Sequence, residues 1–379
     1  MSASRLKVLT VVGTRPEVIR LSATIRLLDE FTEQTLVHTG QNYDYELNEV
    51  FFEDLGLRRP DVFLEADVSS LGSALGSILT KIEAVIREIR PDAFLVLGDT
   101  NSCISAVMAK RMRVPVFHME AGNRCFDENV PEETNRRLVD HVSDYNLVYT
   151  EHARRNLLAE GIHPSRILLT GSPMREVLGA SDDAIRSSDA LDRLGLTERG
   201  YFLVSLHREE NVDDADRLAS AFGALEELGE AYDLPVLVST HPRTRKRLEA
   251  VRDVWGDRLR LHAPFGFNDY NRLQRSARLV LSDSGTIAED SSILGFPAIT
   301  LRDRIERPEA LDAGAIITSG VVRDEILGAA RMAMELFEEF GPPTLPRDYH
   351  ITDTARRVVS FIRSTAGSHH ARTGIRRPR

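Results

Sequence analysis

The chain has 379 residues, 42% apolar and 28% charged, with 24 Gly and 16 Pro, an ordinary globular composition with room for two domains that excludes disordered and fibrous classes. A net charge of -10, from 48 Lys and Arg against 58 Asp and Glu, argues against a general nucleic-acid or acidic-membrane surface. Two cysteines, Cys103 and Cys125, are too few for a disulfide framework or a thiolate metal site.

A short polar leader runs straight into a strand-like segment without the pattern of an export signal, and no stretch has the apolar length of a membrane helix, so the expected location is the cytoplasm. Lys7–Val12 is a compact apolar run closed by Gly13, and residues 18–31 carry a helical period after a short loop. Further short apolar runs at 36–38, 93–97, 116–119, 145–149 and 167–169 alternate with helical periods at 45–55, 71–89, 103–111, 133–141 and 152–159. That alternation predicts an α/β domain with a parallel sheet covered on both faces. A polar segment, 181–200, precedes a second series, with strands at 201–206, 236–239, 259–263, 278–281, 298–301 and 315–318. Helical periods at 215–228, 243–254, 270–276, 287–294 and 324–339 separate them, and GPPTLP at 341–346 stops the series. An amphipathic stretch follows at 351–362. Beyond it the small, polar, basic tail AGSHHARTGIRRPR is expected to be disordered. The expected division is therefore 1–180, 181–345, a C-terminal helix within 346–365 and a tail of 366–379.

The polar loops that follow the strands carry the chemistry. GTRPE (residues 13–17) joins a strand to a helix, where Gly13 lets an anion approach the backbone, the helix start supplies N–H groups and Arg15 adds a donor fork. It is neither a Walker A loop nor the GxGxxG dinucleotide fingerprint. LGDTNSC (97–103) sets Asp99 just beyond a strand, with Asn101 and Ser102 able to cap the next helix. HMEAGNR (118–124) places His118 and Glu120 at another strand end, and DENVPEETNRR brings Glu132 and Glu133 to a helix entrance. Asp99, Glu120 and Glu132 thus offer three carboxylates on loops that one sheet edge can gather, enough for proton transfer at carbon or hydroxyl.

In the second series, SLHREEN (205–211) sets His207 and Arg208 after a strand, and THPR (240–243) brings His241 to the same rim. SDSGTIAED (282–290) presents Ser284, Gly285 and Thr286 at a helix start, where amides and hydroxyls can cradle a diphosphate; Glu289 or Asp290 can accept ribose hydroxyls. ERPE (306–309) places Arg307 between carboxylates, to orient a sugar or to lock a loop. Each motif has a bland alternative as a cap, a turn or a solvated charge cluster.

Taken in order, GTRPE, LGDTNS, HMEAGNR, PEETNR, HREEN, SDSGTIAED and ERPE resemble the non-hydrolysing UDP-N-acetylglucosamine 2-epimerase family over about residues 6–363. The resemblance includes its branch acting on 6-deoxy UDP-acetamido sugars. It implies a GT-B-like fold of two Rossmann-like domains whose parallel sheets face a central cleft, a C-terminal helix returning to the first domain, and a homodimer. It implies no metal and no NAD or other cofactor. The implied reaction inverts C2 of a UDP-2-acetamido sugar by eliminating UDP to a 2-acetamidoglycal and adding it back. It carries catalysis to Asp99, Glu120, Glu132 and His207, and substrate binding to Arg15, Arg208, His241, Tyr270, Ser284, Gly285, Thr286, Asp290 and Arg307. The family's bacterial activator pattern, QHREM, is replaced here by QNYDYE at 41–46. UDP-N-acetylglucosamine is the leading substrate and a 6-deoxy relative the alternative; glycosyl transfer from a UDP-sugar and simple nucleotide-sugar binding are the competing functions.

Overall fold

A computed structural model describes residues 5–40, 52–240, 242–248 and 256–375. QNYDYE and His241 lie outside the described residues, as do parts of the helical periods read at 45–55 and 243–254. The chain divides into two compact units, Met1–Gly179 with His350–Arg379, and Ala180–Tyr349.

In the first unit β1 (Lys7–Val12), β2 (Glu33–His38), β3 (Val62–Phe63), β4 (Ala93–Leu97), β5 (Val116–Met119), β6 (Tyr145–Val148) and β7 (Ile167–Leu169) form one sheet in the order β3-β2-β1-β4-β5-β6-β7. Every pairing is parallel. The sequence permits this because β4 is apolar throughout: Phe94, Leu95 and Val96 are fully buried, as strands covered by helices on both faces require. In the second unit β8 (Phe202–Ser205), β9 (Val236–Ser239), β10 (Leu259–His262), β11 (Leu279–Ser282), β12 (Ala298–Thr300) and β13 (Ile317–Thr318) repeat the plan as β10-β9-β8-β11-β12-β13, again all parallel. Both units are Rossmann-like, and together they make a GT-B-like α/β architecture. Among the described residues no helix is long and apolar enough to cross a membrane.

Residues 181–200 are more structured than their polar composition predicts. Asp182–Ser187 and Ala190–Leu194 are short helices, anchored by the buried side chains of Ile185, Ala190 and Leu191. The chain returns to the first unit after Tyr349. Helix Thr354–Thr365 docks there through Thr354, whose hydroxyl donates to the carbonyls of Thr170 at 3.1 Å and Ser172 at 3.2 Å.

The expected disorder of the tail is corrected for residues 366–375. Ala366–Ser368 and His369–Thr373 form a 3-10 turn and a short helix. The cause is local packing: buried His369 brings Nδ1 to 3.2 Å from the Tyr145 hydroxyl and Nε2 to 3.4 Å from Asp144. His370 Nε2 donates to the Arg113 carbonyl at 2.7 Å. Two histidines in a basic tail therefore supply the docking contacts that its low apolar content hides.

Candidate active site

In each sheet the strand order reverses at one point, between β1 and β4 and between β8 and β11. The chain leaves such neighbouring strands in opposite directions, which opens a crevice at their carboxyl ends. The two loops at each reversal are those singled out by the sequence, GTRPE with LGDTNSC and SLHREEN with SDSGT.

In the first unit Glu17 joins its two loops. The carboxylate accepts hydrogen bonds from Gly13 N at 2.5 Å and Thr14 N at 3.3 Å, and from the hydroxyls of Thr100 and Ser102, the latter at 2.9 Å. Burial pushes its carboxyl up from 4.5 to about 7, against the opposing pull of these donors. A carboxyl with a raised folded-state value contributes stability that is complete below its unfolded value and lost as pH rises through the folded one, a linkage of roughly 3 kcal/mol for such a shift. Glu17→Gln keeps the shape but carries no titratable proton. The melting temperature of the wild type relative to Glu17→Gln is therefore expected to fall between about pH 5 and pH 8; a constant difference would contradict the assignment.

Asp99 is gripped by Arg136, whose Nε and Nη2 lie 3.1 and 2.6 Å from Oδ2. The third guanidinium nitrogen, Nη1, donates to Glu133 at 2.6 Å, so Arg136 ties the β4 loop to helix Pro131–Val142. Burial opposes ionisation of Glu133, but the Cys125 N–H and Arg136 prevail and hold it below the usual carboxylate range. Glu120 adopts a left-handed φ of 65°, an uncommon conformation for a residue with a Cβ. Arg20 Nη1 lies 3.6 Å from its carboxylate and Asn123 Nδ2 donates at 3.3 Å. Glu132, half-buried in the first turn of its helix, makes no hydrogen bond or ion pair among the described residues. Cys103 records the crowding here: its thiol is pushed well up by burial and by the charges of Glu17, Asp99 and Glu120. Arg15 is half-buried at the start of helix Arg15–Phe31. His118, read as a strand-end group, lies entirely within the protein.

In the second unit the organiser is Asp283, a residue the motif reading passed over. It is fully buried and accepts from His207 N at 3.0 Å, Arg208 N at 2.9 Å and Asn211 Nδ2 at 3.3 Å, with His207 Nδ1 at 3.0 Å. Burial would push its carboxyl up; His207 and the N–H donors outweigh that and hold it below the usual range. The His207 side chain remains 48% exposed. Beside it, the Ser284 hydroxyl lies 3.1 Å from that of Thr286 and accepts the Thr286 N–H at 3.3 Å, while Thr286 donates to Asp290 at 3.0 Å. Asp290 is thus engaged inside the turn. Glu289 is fully buried with Arg307 Nε 3.1 Å away, and the same Nε donates to the Gly285 carbonyl at 3.0 Å. Of the two roles open to Arg307, this geometry supports locking the loop, and Glu289 is committed to the same lock. A small pocket behind the turn is lined by Ser284, Gly285, Thr300, Arg302, Glu306 and Arg307. Tyr270 is half-buried; burial pushes its phenol up, against a hydrogen bond with Ser205 at the end of β8.

The structure gathers Asp99 and Glu120 with Glu17 around Cys103, and His207, Arg208, Ser284, Gly285 and Thr286 around Asp283. Sequence reasoning missed Glu17, Arg20, Arg136, Asp140 and Asp283. Asp283 had a usable signal, an acidic residue between a buried strand and a Ser-Gly-Thr turn; Arg136 had another, its i+3 spacing from Glu133 on a helix.

The model of the family described as UDP-N-acetylglucosamine 2-epimerase matches residues 27–363. The solved UDP-N-acetylglucosamine 2-epimerase of Rickettsia bellii is 43% identical, superposes with a TM-score of 0.89 and is matched over 97% of this chain and 98% of its own. That of Methanocaldococcus jannaschii, solved in complex with UDP-GlcNAc and UDP, is 33% identical, with a TM-score of 0.88 over 95% of this chain and all of its own. A UDP-2,3-diacetamido-2,3-dideoxy-D-glucuronate 2-epimerase of Pseudomonas aeruginosa is 37% identical over 87% of this chain and 92% of that one. Matched along most of its length, the chain belongs to the UDP-N-acetylglucosamine 2-epimerase family.

Proposed function

We propose that this protein interconverts UDP-N-acetylglucosamine and UDP-N-acetylmannosamine by non-hydrolysing epimerisation at C2. The observation that carries the reading is the division of polar chemistry between the two strand-order reversals, carboxylates at the first and N–H, hydroxyl and imidazole donors at the second.

The reaction starts with loss of the C2 proton to a carboxylate of the first unit. The electron pair of the C2–H bond forms the C1–C2 double bond as the C1–O bond breaks, and UDP leaves with the electrons of that bond. Arg15, His207 and the Ser284–Thr286 turn stabilise the charge that develops on the departing diphosphate. UDP then re-adds to C1 of the 2-acetamidoglycal, and a proton returns to C2 on the opposite face, so a second acidic group must serve that face. Asp99, Glu120 and Glu132 supply the groups for both faces. Asp283 keeps His207 and Arg208 oriented toward the leaving group. Tyr270 and Asp290 serve the uridine, with His241 and Arg208 on the phosphate side. The ligands of the Methanocaldococcus jannaschii complex, UDP-GlcNAc and UDP, support the substrate assignment. A homodimer in the cytoplasm, using no cofactor, completes the proposal.

A second reading changes the sugar. The 37% identity to the Pseudomonas aeruginosa enzyme supports 2-epimerisation of a 2,3-diacetamido uronate, whereas the resemblance to the branch acting on 6-deoxy UDP-acetamido sugars points to a substrate without the C6 hydroxyl. Purified protein in deuterated water, supplied in turn with UDP-N-acetylglucosamine, 6-deoxy UDP-acetamido sugars and a 2,3-diacetamido uronate, separates these by NMR. Inversion with deuterium at C2 is expected for the true substrate and needs no acceptor. UDP release that depends on an added acceptor, without deuterium entry, would identify a glycosyltransferase instead.

A further inference from the structure

We propose that His118 is a positioning residue for the first unit's carboxylates, held by Asp140 and the Gly98 carbonyl as an imidazolium with hydrogen on both ring nitrogens. Its catalytic half rests on the epimerase reading; its structural half does not.

His118 and Asp140 are both fully buried. His118 Nε2 lies 2.7 Å from the carbonyl oxygen of Gly98, and Nδ1 lies 2.9 Å from Oδ1 of Asp140. A carbonyl oxygen can only accept, so Nε2 carries a hydrogen. The remaining hydrogen lies between Nδ1 and the carboxyl group, and the surroundings of Asp140 place it on nitrogen. Gly122 N donates to both Asp140 oxygens, at 3.2 and 3.1 Å, and Arg124 Nη1 donates to Oδ2 at 2.7 Å. A main-chain N–H and a guanidinium can only donate, so both Asp140 oxygens serve as acceptors here. The other charged groups at the junction are reached through Arg124, which is forked onto Glu160 at 2.8 and 2.6 Å; Glu160 also faces His141 at 3.2 Å. From β6, Asn146 Nδ2 donates to the Asp140 main-chain carbonyl at 3.1 Å.

A histidine–aspartate pair that exchanges a proton with substrate keeps its second ring nitrogen free. Here that nitrogen is spent on a main-chain carbonyl inside the protein, which assigns His118 to geometry rather than to proton transfer. Gly98 immediately precedes Asp99, His118 lies two residues before Glu120, and Asp140 lies on the helix whose first turn holds Glu132. One buried junction therefore joins the three segments that bear the carboxylates.

The test uses full-length protein labelled with 15N-histidine, observed without substrate at pH 8 by long-range 1H–15N correlation, with His118 identified by the signals lost in His118→Gln. Two protonated ring nitrogens are expected. One bare nitrogen would overturn the proposal, and because no turnover is involved, that result stands apart from any failure of the epimerase reading. In kinetics, His118→Gln supplies one donor where two are needed and is expected to lower kcat by about 10²-fold through misplaced carboxylates, with UDP affinity unchanged within a factor of about three. A wild-type kcat in this variant, or an equal loss in kcat and UDP binding, would refute the positioning role. If His118→Gln does not fold, signal assignment passes to the other His→Gln variants by elimination, and the spectrum decides.

Discussion

Glu132→Gln is expected to lower kcat by about 10²- to 10⁴-fold, the range for loss of a general acid or base, while the fold and UDP affinity stay close to wild type. Among the three carboxylates it is the cleanest to remove. Asp99 holds the Arg136 fork and Glu120 faces the buried Arg20, so Asp99→Asn and Glu120→Gln also disturb a cation that is 3–4% exposed, and leaving such a charge without its partner costs a few kcal/mol. Glu132 has no such duty among the described residues; its amide isostere loses only the helix-terminus benefit of a negative charge, about 0.3–1 kcal/mol. A large kcat effect at unchanged melting temperature would therefore report chemistry. Turnover by HPLC of the two epimers, UDP affinity by calorimetry and thermal melting should be measured on the same preparation. A kcat within a few-fold of wild type would remove Glu132 from the proton-transfer set.

The alternation of short apolar runs with longer helical periods was sufficient to read both sheets, because parallel strands buried on two faces have few polar positions to confuse the pattern. Val116–Met119 and Val236–Ser239 were legible to the residue. Elements with little apolar content were not. The two-residue β3 has one half-buried and one exposed position, and the helices within 181–200 carry only one or two buried residues each. The same limit governs the site. Loops after strands could be identified as the rim, but which polar residues face outward and which brace the rim from beneath is decided by tertiary partners. Asp99 and Asp283 both follow buried strands, yet the first keeps a quarter of its side chain exposed while the second has none. His118 and His207 likewise sit at strand ends, and only the second reaches the surface. What the motifs could not reveal was thus the inward half of the site, the Glu17, Asp140 and Glu289 contacts that hold the outward half in place.

Gly122→Ala is expected to destabilise the first unit by about 4 kcal/mol or more, enough to leave little folded protein, because overpacking against main chain adds to backbone strain. Gly122 has a φ of 79°, and a Cβ placed on it would stand 2.4 Å from the carbonyl oxygen of Ala153 and 2.9 Å from its carbon. Ala153 belongs to helix Glu151–Ala159, where that oxygen serves the helical ladder and cannot move aside alone. Gly122 cannot turn away either: its N–H is bonded to Asp140 and its carbonyl accepts from Asn156 Nδ2 at 3.0 Å. Gly171 provides the control. Its φ is similar, 81°, but the nearest atoms to a Cβ there would be side-chain atoms of Ile351, at 2.6 to 2.8 Å, and Ile351 is half-buried outside any helix or strand, so it can move with its loop. Gly171→Ala is therefore expected to cost less, about 1–3 kcal/mol, and to remain folded. Equilibrium urea unfolding of both variants decides the point. If Gly122→Ala proves no less stable than Gly171→Ala, helix Glu151–Ala159 yields where the close approach of two main chains says it cannot, and the rigid seat assigned to Glu120 two residues earlier would lose its basis.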